Sequence, residues 1–106
     1  MKKQTYIIVL EDQDGRTVDF ERWTYKRAQT CIDKIGELYA EWPGLYGKNL
    51  ERAARVVCYP TPDGYTHAAP VWGVPVDEFR RMVEAQQEKT RDEARRRLEA
   101  LGKEPA

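Results

Sequence analysis

Residues 6–23, YIIVLEDQDGRTVDFERW, decide the fold. Tyr6 to Leu10 is rich in β-formers, and Thr17 to Trp23 alternates apolar and polar side chains with period two. Between them, Asp12-Gln13-Asp14-Gly15 suits a type I turn closed by a left-handed glycine, the G1-bulge hairpin. That turn pairs Asp12 with Arg16, so Leu10 faces Val18 and Ile8 faces Phe20. Tyr6, Ile8, Leu10, Val18 and Phe20 then share the predicted core face. The opposite face sets Ile7 and Val9 against Glu21 and Asp19, with Trp23 beyond them. It is half apolar and is expected to be exposed if the helices lie on the other side.

Working outward, Thr24 reads as an N-cap. Ala28, Cys31, Ile32, Ile35, Leu38, Tyr39 and Trp42 fall at the three-and-four spacing of one helical stripe. Pro43-Gly44 ends that helix, and residues 44–50 read as a loop. A second hairpin is expected from Ala53–Tyr59 and Tyr65–Trp72, joined by Thr61-Pro62-Asp63-Gly64. Pro70 marks an edge or the end of pairing. Asp77 then caps a long helix, with Glu78 in its first turn.

The predicted fold is α+β: two ββα units (ββαββα) forming a four-stranded antiparallel sheet with two helices on one face. One domain spans residues 1–106, with a hairpin–helix–hairpin core over 1–76, the C-terminal helix over 77–102 and a tail over 103–106. A helix of that length runs about 39 Å at 1.5 Å per residue, beyond the reach of the strands, so its second half projects. Phe79, Met82 and Val83 anchor its first turns. After them only Ala94, Leu98 and Leu101 continue a thin apolar stripe. This half reads either as a solvated tail or as a self-association arm; Arg95-Arg96-Arg97, flanked by Asp92, Glu93 and Glu99, is a weaker RNA-contact reading.

The 18 Lys+Arg balance the 18 Asp+Glu, and residues 1–76 and 77–106 each balance internally. Such a chain has no bulk field with which to capture duplex DNA or an anionic membrane. No signal-peptide or membrane-span pattern occurs, and Cys31 and Cys58 have no metal-knuckle or redox spacing, so reduced thiols in the cytoplasm are expected.

Catalytic signatures are sparse. The chain has no serine and no glycine-rich phosphate loop. Cys58 and the single His67 invite a nucleophile–base reading, but the predicted hairpin projects them from opposite faces of the sheet. His67 is then expected beside Tyr59, and Cys58 in the core. Glu37 and Glu41 lie one turn apart with no histidine to join them, as on a solvated helix face. No catalytic residue, cofactor or metal site is expected.

Surface aromatics are the better lead, because Tyr and Trp supply rigid contact area at binding hot spots. The leading expectation is a non-enzymatic binding or regulatory module acting through protein–protein contact and self-associating as a homodimer. Its candidate contacts are Ile7, Val9 and Trp23 on the sheet, Trp42 and Tyr46 at the helix end, Trp72 on the second hairpin, and Leu98 and Leu101 on the arm. A second reading is single-stranded nucleic-acid binding by stacking on Tyr59, Tyr65 and His67 beside Arg55. A third is a small enzyme built on Cys58 and His67. In size, charge balance and α+β plan, with no motif involved, the chain resembles small accessory proteins of phages and mobile elements, some of which inhibit host defence systems.

Overall fold

In a computed structural model, which describes residues 2–62 and 66–102, Gly15 adopts φ +80, the left-handed conformation the first turn needs. Asp12 N–H donates to the Arg16 carbonyl (2.9 Å) and Gly15 N–H to that of Asp12 (3.1 Å). The Asp12 carboxylate accepts from the backbone of Asp14 and Arg16, both at 2.9 Å. This turn joins β1 (Gln4–Glu11) to β2 (Thr17–Tyr25).

One step beyond the turn the register departs from expectation. Glu11 pairs with Thr17 but Leu10 pairs with Asp19, so Val18 is the extra residue of a β-bulge. A one-residue slip turns every later side chain to the other face. Phe20 therefore lies opposite Val9 on the outer face, 51% exposed, and not in the core. Trp23 lies opposite Tyr6 and packs against the core, not on the outer face.

β2 runs to Tyr25, so Thr24 is no helix cap; its hydroxyl meets that of Thr5 across the ladder at 2.9 Å. α1 (Ala28–Glu41) starts after extended Arg27, without a side-chain cap. Its apolar stripe buries Cys31, Ile32, Ile35 and Tyr39. The expected loop over 44–50 is instead helical, within α2 (Pro43–Arg52). Pro43 stops α1 and starts α2, because a residue without N–H and with fixed φ suits the first helical turn. Arg80 Nη2 donates to the Leu50 carbonyl at 2.8 Å, serving the far end of α2.

β3 (Arg55–Pro60) pairs with β1, and β4 (Trp72–Pro75) pairs with β3. The sheet is antiparallel throughout, in the order β2-β1-β3-β4. Cys58 pairs with Trp72, not with Ala68 as a tight hairpin required; the ladder runs over Trp72–Pro75, with an outlying bond from Ala68 N–H to the Pro60 carbonyl at 2.9 Å. The shift is four residues, an even number, so the expected faces of β3 survive it. The expected Asp63-Gly64 turn and the Tyr65 start of the return strand lie outside the described residues. α3 (Val76–Gly102) follows β4 directly, with Asp77 and Glu78 in its first turn and not at its cap.

One core joins Tyr6, Ile8, Leu10, Val56 and Cys58 of the sheet to Cys31, Ile35 and Tyr39 of α1, Leu50 of α2, and Phe79 and Val83 of α3. The three helices thus share one face, as the sequence implies for its two. The radius of gyration is 16.8 Å and the extents are 59 × 35 × 19 Å, against about 13 Å for a compact domain of this length. The long axis reflects α3, whose residues from Glu88 onward are all exposed.

Candidate functional site

The thiol and the imidazole are separated by the sheet. Cys58 is fully buried on the helix side. Burial, with a smaller contribution from Cys31, pushes its thiol up to about 11. His67 lies on the outer side, its ring stacked on Tyr59 with centroids 5.0 Å apart and planes 22° apart. A fully buried thiol raised so far above its ordinary range, with the imidazole on the other side of the sheet, is a poor nucleophile. Among the described residues, no three His, Cys, Asp or Glu side chains converge to hold a metal ion.

On the outer face, alternation places Ile7 and Val9 of β1 and Val57 and Tyr59 of β3 beside one another. Ile7 and Val9 were expected to be exposed but are only 5% and 3% so. They sit on a central strand, where Phe20, Arg22, Val57 and Tyr59 flank them. Glu11 organises the polar end of this face. Arg55 Nε donates to its Oε1 at 2.8 Å and the Tyr59 hydroxyl to its Oε2 at 2.9 Å. Burial, and then Glu11 itself, raises the Tyr59 phenol above its usual range. Arg55 and Tyr59 are therefore committed to a neighbour already.

Of the remaining aromatics, Trp72 and Tyr46 pack against the core, Tyr46 with its ring 4.8 Å from that of Tyr39. Trp42, at the corner between α1 and α2, is 54% exposed. Tyr65 lies outside the described residues.

The bulge creates a polar cluster that alternation hides. It turns Asp19 and Glu21 toward the helices. Asn49 Nδ2 donates to Asp19 Oδ2 at 3.0 Å and to the Tyr39 hydroxyl at 3.2 Å. The Tyr39 hydroxyl donates more weakly to Asp19 Oδ2, at 3.5 Å. Burial drives the Tyr39 phenol far above its ordinary range, so it stays a donor. Glu21 is raised by burial and then by the Asp19 charge. The Asp12-Gly15 turn pointed to the hairpin, but nothing in it announced the bulge.

An open cleft of about 660 Å³ lies between the end of α1 and the middle of α3. Glu37, Ala40 and Glu41 form one wall, and Gln86, Gln87, Thr90 and Arg91 the other. Gln87 Nε2 reaches the Ala40 carbonyl at 3.4 Å, fixing where α1 ends along α3. Beyond it Leu98 and Leu101 stand 70% and 64% exposed. Among the described residues the arm holds one ion pair, Arg95 to Asp92 at 4.0 Å, exposed on both sides. No described helix is long and apolar enough to cross a membrane. No family model, no curated protein and no solved structure matches the chain.

Proposed function

We propose that this chain is a non-enzymatic binding and regulatory module that works through protein–protein contact and self-associates through the distal half of α3. The observation that carries the reading is the exposed pair Leu98 and Leu101 on a helix that has left its own core behind. Two leucines three residues apart share one side of a helix. A solvated tail gains nothing from them, whereas covering them removes apolar surface from water at about 25 cal/mol per Å². Exposed Trp42 and Phe20 offer further apolar contact on the body of the protein.

Nucleic-acid stacking has weaker support. Its cation, Arg55, is paired with Glu11, and one face of Tyr59 is covered by His67. The Cys58–His67 enzyme lacks its geometry, since the two lie on opposite faces of the sheet.

Sedimentation equilibrium up to high micromolar concentration tests the proposal. The expected result is a dimer mass for the natural chain and a monomer mass for Leu98→Glu/Leu101→Glu with unchanged far-ultraviolet dichroism. A monomer mass for the natural chain at every concentration overturns it.

A further inference from the structure

The stripe along α3 changes character at the level where α1 stops. Phe79 and Val83 are buried against the core, and Gln87 and Thr90 line the cleft. Ala94, Leu98 and Leu101 continue the same three-and-four spacing, all exposed. From Gln87 to Leu101 the helix rises about 21 Å at 1.5 Å per residue. Ala94 stands midway.

Charge is segregated along the same helix. In residues 84–93, Glu84, Glu88, Asp92 and Glu93 outnumber Lys89 and Arg91. In residues 94–102, Arg95, Arg96 and Arg97 outnumber Glu99. The cleft at the root of the arm adds Glu37 and Glu41 to the acidic end. The arm is therefore complementary to itself reversed: antiparallel pairing sets the basic tip of one copy on the acidic root of the other. Parallel pairing sets like on like, and aligns the two helix dipoles unfavourably as well.

Resting on the self-association proposed above, we infer that two copies pair arm against arm in antiparallel, each tip seated in the other copy's cleft between α1 and α3. With the crossing at Ala94, Leu101 of each copy lies opposite Gln87 of the other, and Leu98 opposite Thr90. The small alanine lets the two helices approach closely at the dyad. The second copy thus supplies the apolar side chains that the cleft, walled by Ala40 and the stems of Glu37, Glu41 and Gln87, does not supply for itself.

Cys31 and Cys58 are buried, so an introduced surface cysteine reports alone. The test combines sedimentation equilibrium of the natural chain with oxidative cross-linking of Ala94→Cys and, separately, Leu101→Cys, both checked for native dichroism. The expected result is a dimer mass, with Ala94→Cys linking at least ten-fold faster than Leu101→Cys, because only Ala94 meets its own copy at the dyad. A dimer mass with Leu101→Cys linking as fast or faster overturns the antiparallel arrangement and leaves self-association standing. A monomer mass overturns both.

Discussion

Asn49→Ala should destabilise the protein more than Tyr39→Phe, although tyrosine is the larger and more deeply buried residue. Asn49 donates to Asp19 at 3.0 Å and to the Tyr39 hydroxyl at 3.2 Å. Its removal leaves a fully buried phenol with only the long 3.5 Å contact to Asp19, and takes from a carboxylate its better donor. Stranding a buried polar group costs about 1–3 kcal/mol, and hydrogen bonds to charged groups sit at the upper end, so about 2 kcal/mol is expected. Tyr39→Phe removes the hydroxyl and leaves Asn49 and Asp19 to each other, at about 1 kcal/mol or less. The ring, packed on Tyr46 at 4.8 Å and edge-on to Phe79 at 5.5 Å, stays. With a urea slope of about 2 kcal/mol per molar, the alanine variant should lose about 1 M in midpoint and the phenylalanine variant about half of that. Because the two substitutions share one network, the double variant should cost less than their sum. Urea unfolding followed by tryptophan fluorescence measures all three. A Tyr39→Phe cost equal to or above that of Asn49→Ala, or strict additivity, would refute both the network and the bulge that delivers Asp19 to it.

Glu21 tests the same bulge through pH. Its folded-state pKa is raised by burial and by Asp19, so its favourable contribution is complete below the unfolded value near 4.3 and is lost as pH rises through the folded value. Glu21→Gln should therefore be more stable than the natural chain at pH 7 and lose that advantage as pH falls below about 4; urea midpoints at the two pH values check this, and the reverse trend defeats it. Cys31 and Cys58 are both buried, and burial raises both thiols. At pH 8 neither should react with a thiol reagent until urea unfolds the chain, and prompt native-state labelling would contradict the core described here. Glu11→Gln should let the Tyr59 phenol ionise at lower pH than in the natural chain, because the carboxylate that raises it is gone. Ultraviolet titration at the phenolate band reads the shift, and no movement would deny the Glu11–Tyr59 contact.

The legible parts of the fold were those fixed by local chemistry. Asp12 to Gly15 carries a turn that only a left-handed glycine closes, and the Ile32–Ile35–Tyr39 spacing carries an amphipathic helix. The bulge had no such mark. Val18 and Phe20 alternate as core residues should, and placing Asp19 and Glu21 toward helices contradicts the ordinary cost of burying carboxylates. Only Asn49 and Tyr39, distant in sequence, make that placement tolerable. α2 was hidden for a different reason: Gly44 and Gly47 each weaken a helix by about 1 kcal/mol relative to alanine, so the segment reads as loop. Docking of Leu50 and Tyr46 on the core offsets that penalty. Leu98 and Leu101 were visible as a thin stripe, but the cleft that stripe points back to required knowing that α1 stops level with Gln87.

A formal charge of zero rules out capture by a bulk field, yet it leaves the order of charges along the chain unconstrained. On α3 that order is acid first and base last, with arginines left without partners once the single Asp92–Arg95 contact is counted among the described residues. Within one helix the two halves cannot fold back on each other, since the helix is unbroken over Val76–Gly102. Neighbouring turns meet, as Arg95 and Asp92 do, but the basic tip and the acidic root do not; in the antiparallel pairing proposed above, a second copy brings them together. In the proposed dimer, the same neutrality lets two copies meet without net repulsion and leaves the direction of their arms to local charge order.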